Sequence, residues 1–329
     1  MRGLFFFAFS FFESFPKVLL ACCCNFFSLG MKVENMILKC LSVTMVASIL
    51  ILTSCSKNNE VLNSTDVENV SSELLSEAYV AEASEMSIIL FNNINDSKLG
   101  SISTPIPDLS SIDSPLNVAA LTISGTGGTN NPQGTITIDF KTGTTDHHGV
   151  LRKGIVKITY SGRRWAAGST HSISFSGYAR NRVTIDDGTI YTITNRTDSL
   201  AAAREFHHVL KGCQLTFPDQ KTFKRDADFI ATIDFELKTV TLSVNSATDS
   251  TKGTTRYGAS FVMKITKPII YKSQCIGSKI YLPSGGAKTI TVGSSTYAVA
   301  YDSTRTCSKF VTVKVGDKSA TIAVNSDGN

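Results

Sequence analysis

Catalytic signatures are what this 329-residue chain most plainly lacks. Beyond Cys55 it holds no GxSxG, no SxxK and no HExxH, which removes the local patterns that nucleophilic and zinc-dependent hydrolases leave in a sequence. No two cysteines stand three apart, so there is no CxxC arm for a zinc site. Charge is scarce as well: 18% of residues are charged, and the formal net charge is +5. Four of the 32 basic and two of the 27 acidic residues precede Cys55, leaving +3 for the remainder. A balance so near neutral excludes the basic footprint of a nucleic-acid-binding surface. Tryptophan occurs once, at Trp165.

What is present begins with an address. From Met31 the chain reads MKVENMILKCLSVTMVASILILTSC, with lysines at Lys32 and Lys39 before an apolar run from Cys40 to Leu52. That order is the n-region and h-region of a secretory signal, and the run is shorter than the ~20 residues a permanent membrane span needs. Leu52, Thr53, Ser54 and Cys55 then match a bacterial lipobox, in which the cysteine sulfur is lipidated and becomes the first mature residue. Two or three acyl chains at about 0.8 kcal/mol per buried methylene make a stable anchor, where one is marginal. The alternative is an unlipidated signal peptide with Cys55 an ordinary residue. Residues 1–30 hold nine of the 19 phenylalanines and the triplet Cys22, Cys23 and Cys24. A second leader in front of a complete one has no mechanical use, so 1–54 is read as leader, with 1–30 an over-called start and 31–54 the lipoprotein signal peptide.

The spacing of Val70, Leu74, Tyr79, Met86 and Ile89 predicts a helix over 71–91, capped by Ser71 or Ser72, after a polar tether at 55–70. Ser, Asp and Pro dominate 92–115, the pattern of a linker. From there the period is two. Segments such as GTITIDF, GIVKITYSG and THSISFSGY alternate apolar and polar residues between Gly, Asn and Asp, as antiparallel strands with one wet face do. The expected fold is mainly β: an antiparallel β-sandwich-like domain at 116–267 and a small C-terminal β module at 268–329, preceded by one N-terminal helix. Asp187-Gly188 is the strongest hairpin signal.

Four sets of residues are candidates for chemistry. Cys275 and Cys307 flank strands in the tail and form the expected disulfide in an oxidising envelope, with buried free thiols as the alternative and Cys213 left over. Arg152, Lys153, Arg163, Arg164 and Trp165 form a possible ligand surface, since an indole beside guanidinium groups can stack on a sugar or grip an anion; the competing reading is a solvated hairpin tip. Asp146, His148 and His171 could meet across strands, although adjacent histidines point to opposite faces, and no metal site is assigned. Asp139, Asp234 and Glu236 are the acids that a glycan hydrolase would have to bring together in space. No catalytic residue and no cofactor is assigned. Three Asp-Ser-Leu/Thr triplets, at 198–200, 249–251 and 302–304, resemble O-glycosylation sequons.

The run ITIDFKTGTTDHHGVLRKGIVKITYSGR, with KPIIYKSQC and YAVAYDSTRTCSKFVTVKVGD after it, is similar to a signature of uncharacterised cell-envelope lipoproteins of Bacteroidota. The likeness spans roughly 135–324 and rests on strands and turns more than on chemistry. That family has no established activity, so the resemblance implies no functional residue. Some of its members carry a cysteine where Thr144 and Thr145 stand here. The resulting expectation is an outer-membrane-anchored lipoprotein, facing the periplasm or the surface, with a non-catalytic binding or structural role and a glycan or envelope protein as its possible partner. The alternatives are a glycan-acting hydrolase and a carrier of an apolar ligand, which would need a sheet curled around a cavity.

Overall fold

The computed structural model describes residues 62–94, 99–100, 114–163, 165–197, 203–234, 236–243, 251–301, 304 and 307–324. The leader, Cys55, the first part of the tether, most of the linker, Arg164 and nearly all of the three serine triplets lie outside them. All the described residues belong to one compact unit, 60–329.

Helix α1 spans Ser64–Asn93. It starts seven residues before the expected Ser71, because Asn63 caps it: the Asn63 side chain accepts a hydrogen bond from the Asp66 amide at 2.8 Å. Asp66 in the first turn also meets the positive end of the helix dipole. Of the expected stripe, Val70, Leu74, Tyr79 and Met86 are buried, while Ile89 is half-buried and its neighbour Leu90 takes the core position instead. Burial does not stop at that stripe. Glu73, Ser76 and Ser87 are just as inaccessible, and sixteen of the thirty residues are buried.

The cause is the sheet. Among the described residues sixteen strands, all paired antiparallel, belong to a single sheet; thirteen follow one path in the order β1-β2-β4-β5-β6-β8-β9-β10-β12-β13-β14-β15-β16, with β10 at Thr239–Ser243 and β14 at Ser295–Ala300, while β3 (Thr144–Thr145) pairs with β4, β7 with β5 and β8, and β11 (Thr251–Thr254) with β9 and β12. They run from β1 (Ala120–Thr126) and β2 (Gln133–Asp139) to β15 (Phe310–Val315) and β16 (Lys318–Ala323). The helix touches β4 (Leu151–Ser161) through Glu82 and β13 (Gly285–Val292) through Glu77. Those strands are seven places apart in the sheet, about 34 Å if it lay flat. Glu77 and Glu82 are separated by only about 7.5 Å of helical rise. The sheet must therefore curl around the helix, and one apolar core joins α1 to strands from β1 to β16.

A crease running across the strands makes that curl possible. The register of β4 against β5 (Thr170–Arg180) shifts between Lys153 and Ile155. Gly154 sits in the shift with φ +78, and a Cβ there would lie 2.3 Å from the Gly177 carbonyl oxygen. The irregularity continues through Asp186–Thr189 to β8 (Ala203–Thr216), shifted between Leu210 and Cys213. A separate register shift, off this line, lies between β12 (Ser260–Lys272) and β13. Aligned bulges raise local twist and bend a sheet along their line.

The same crease corrects the expected hairpin at Asp187-Gly188. β6 (Val183–Ile185) and β7 (Ile190–Asn195) both pair antiparallel to β5 and lie in one row between β5 and β8. The chain thus passes through Asp187-Gly188 without reversing. Asp186 and Asp187 instead fasten the bulge: the Asp186 carboxylate accepts from the Gly188 amide at 2.9 Å and the Asp187 carboxylate from the Gly177 amide at 2.7 Å.

The expected boundary between 267 and 268 falls inside β12, whose pairing with β13 carries the sheet into the tail. After β12 comes the short helix α2 (Ser273–Gly277), and its Cys275 is disulfide-bonded to Cys307, with a Cα–Cα distance of 5.1 Å. Cys213 is a buried free thiol, its pKa pushed up to about 11 by burial.

Candidate ligand cavity

Alternation places apolar residues on the inner face of the sheet, yet β9 (Thr222–Asp234) puts Arg225 between Phe223 and Ala227, and β13 puts Lys288 two before Ile290. Both basic side chains thereby enter the core in the apolar phase. They meet carboxylates from α1. Lys288 Nζ contacts Glu73 and Glu77, the latter at 2.8 Å. Arg225 lies farther off, with Nη2 3.6 Å from Glu77 and 3.8 Å from Glu73, while its Nη1 donates to Ser76 Oγ at 3.1 Å. A second group one and a half turns along joins Glu82 to Arg152 and to Arg180, the latter at 2.7 Å, with Asp146 on Arg152 at 2.7 Å. Each group holds two carboxylates and two cations, so the core stays neutral.

Proton affinities follow from this packing. Burial, together with the Glu77 charge, holds the Glu73 carboxyl above its ordinary range. Burial pushes Glu77 the same way, but Lys288 and Arg225 outweigh it and leave Glu77 below the ordinary value. Two carboxylates sharing one ammonium split in this manner.

Beside the first group, whose Glu77 and Arg225 line it, α1 and the strands β8 to β12 leave a cavity of about 730 Å³. Its walls are largely apolar, with Val80, Leu210, Phe229, Met263, Ile265 and Ile269 among the lining residues. Arg225 and Tyr271 line the buried inner part, and Trp165, Arg204 and Lys238 also face the cavity. His208 stacks on Phe229 at 5.0 Å and hydrogen-bonds the Tyr191 hydroxyl through Nδ1. Burial, reinforced by His171 and His207, lowers its pKa to about 3, so the ring is neutral at pH 7. Next to it His207 is half-exposed and pairs with Asp228 at 2.7 Å.

Of the surface expected from Arg152, Lys153, Arg163, Arg164 and Trp165, Arg164 lies outside the described residues and the other four do not come together in one patch. Arg152 is 2% exposed and spent on Glu82 and Asp146, while Lys153 points to solvent from the other face of β4. Arg163 and Trp165 follow the far end of that strand, about 30 Å away along an extended chain. Among the described members of the set only Trp165 lines the cavity; it packs edge-on against Phe206 at 6.0 Å, with the Arg204 guanidinium 4.6 Å above its ring. Asp146 and His171 are also apart in role: the Asp146 carboxylate accepts from the His148 and Val150 amides and from Arg152, whereas His171 Nε2 faces Ser87 on α1. The acids Asp139 and Asp234 each accept a nearby backbone amide, from Lys141 and Leu237, and Glu236 is exposed in the turn after β9.

The buried ion groups and the cavity were missed in the sequence, although a signal existed. Arg225 and Lys288 occupy apolar-phase positions, and Glu73 and Glu77 stand four apart on the helix. Among the described residues no helix is long and apolar enough to cross a membrane, and no cluster of three or more His, Cys, Asp or Glu could hold a metal ion. Comparison of the chain with family models, curated proteins and solved structures returns no match.

Proposed function

We propose that this chain is an envelope lipoprotein, anchored through Cys55, whose β-rich domain carries an apolar ligand in the cavity between α1 and the sheet. The supporting observation is the cavity: about 730 Å³ with mainly apolar walls, inside the 300–1,000 Å³ range typical of ligand sites. It favours the carrier reading over the expected generic binding or structural role. The hydrolase reading has less support, because Asp139 and Asp234 serve as turn acceptors. The resemblance to Bacteroidota envelope lipoproteins and the lipobox support the address.

Filling the cavity tests the carrier reading. Ala231 is 1% exposed and lines the cavity, so Ala231→Phe places a ring in the open volume. Wild-type protein should bind a neutral fluorescent apolar probe such as 1-aminoanthracene saturably, and Ala231→Phe should lose that binding while retaining or raising its Tm. Absence of saturable binding by the wild type refutes the carrier reading. The address is tested separately by labelling cells with a palmitate analogue: label should enter the wild type and not Cys55→Ala.

A further inference from the structure

The cavity is elongated and chemically polarised. Along α1 its lining runs from Glu77, which is buried, to Asn92, which is exposed, a rise of about 22 Å. The exposed residues Ile88, Asn92, Lys238 and Gly277 mark the rim, and Arg225, Tyr271 and Leu210 the inner end.

The acids on this lining are engaged. Glu77 is held by Lys288 at 2.8 Å, Glu85 by the Tyr281 hydroxyl, Asp228 by His207 at 2.7 Å and Asp234 by the Leu237 amide at 2.8 Å. Arg225 is different. It is 4% exposed, no carboxylate oxygen comes closer than 3.6 Å, its Nη1 donates to the neutral Ser76 hydroxyl at 3.1 Å, and its Nε has no hydrogen-bond partner. A buried guanidinium so loosely paired favours an added anion, because a carboxylate meets its planar fork with two charge-assisted hydrogen bonds.

We infer that the occupant is an anionic single-chain amphiphile, a long-chain monocarboxylate, seated with its head on Arg225 and its tail running along α1 to the rim. This rests on the carrier reading and adds the ligand's class and orientation. Size agrees: at about 30 Å³ per water-sized group, sixteen carbons occupy about 500 Å³ of the 730 Å³ present. Charge agrees too. Glu73, Glu77, Arg225 and Lys288 sum to zero, so an entering carboxylate adds one negative charge. Glu73 is the group that would take up a proton in compensation, since burial and Glu77 already raise its affinity for one. Binding should therefore weaken with rising pH, by up to tenfold per unit once Glu73 ionises in the free protein.

The test is displacement of 1-aminoanthracene from the purified protein by hexadecanoate, hexadecan-1-ol and hexadecyltrimethylammonium. Hexadecanoate should bind at least tenfold tighter than the alcohol, and the ammonium weakest. In the double variant Arg225→Gln, Glu73→Gln, which keeps the group neutral, that preference should fall below about twofold. The inference is overturned if the alcohol or the ammonium equals hexadecanoate on the wild type, or if the preference survives in the variant. The wild-type series decides even if the variant does not fold. If the apolar probe itself does not bind, the carrier reading fails and takes this inference with it; if probe and all three tails bind alike, only the head-group inference falls.

Discussion

Replacing Lys288 by methionine would leave Glu73 and Glu77 in the core with Arg225 as their remaining cation, at 3.8 Å and 3.6 Å respectively. The side chains of Lys288 and Glu73 are both fully buried and in direct contact. Removing one partner of a buried pair costs about 3 to 5 kcal/mol, mostly the penalty of the charge left behind. The deficit has an outlet. Glu73 can take a proton, and its affinity for one, already above the ordinary range, rises further without Lys288. A carboxyl whose folded pKa exceeds its unfolded value binds more protons folded than unfolded, so stability falls as pH rises between the two values. Lys288→Met should therefore cost about 4 kcal/mol near pH 8 and clearly less near pH 5. Adding Glu73→Gln should restore most of the loss, because Glu77 and Arg225 then balance. The assay is equilibrium urea unfolding followed by circular dichroism at several pH values, with unchanged m values confirming that only stability moved. A cost below about 1 kcal/mol, or a double variant with strictly additive losses, would refute the account of a shared neutral group.

Other outcomes follow from the same packing. His208, lowered to about 3 in the fold, binds its proton only when unfolded between that value and about 6.5, so it should cost about 1.4 kcal/mol of stability per pH unit on acidification below 6.5; His208→Phe should flatten that slope in urea titrations, and an unchanged slope would place the proton elsewhere. The Cys275–Cys307 bridge closes 32 residues and should contribute about 3 to 4 kcal/mol on the chain-entropy estimate, read as the stability difference between wild type and the paired serine variant. Gly154→Ala would put a methyl against the Gly177 carbonyl, 2.3 Å from the ideal position, at φ +78; a loss of about 2 kcal/mol or more is expected, and a neutral substitution would mean the crease is not rigid there.

Much of the local structure could be read from the residues because its causes are local. Period-two alternation marked the strands, and apolar residues spaced three and four apart marked α1, although the cap at Asn63 escaped notice and moved its start to Ser64. Asp187-Gly188 misled for an instructive reason. The pair favours a turn, but whether the chain reverses depends on the strands beside it, and here β5 and β8 hold it in one row. The described residues of the expected surface at Arg152 to Trp165 are separated for a like reason: nearness in sequence across an eleven-residue strand is distance in space.

By itself the sequence determined the strand-rich character, the helix on the N-terminal side and the positions where charged residues fall in the apolar phase, since each depends on periodicity within one segment. Tertiary structure alone decided what those charges meet and where space remains. Arg225 and Lys288 come from strands more than sixty residues apart and find Glu73 and Glu77 only because a creased sheet curls around the helix. The cavity exists for the same reason: it is the volume that this curl encloses and the side chains do not fill, and no segment carries it alone.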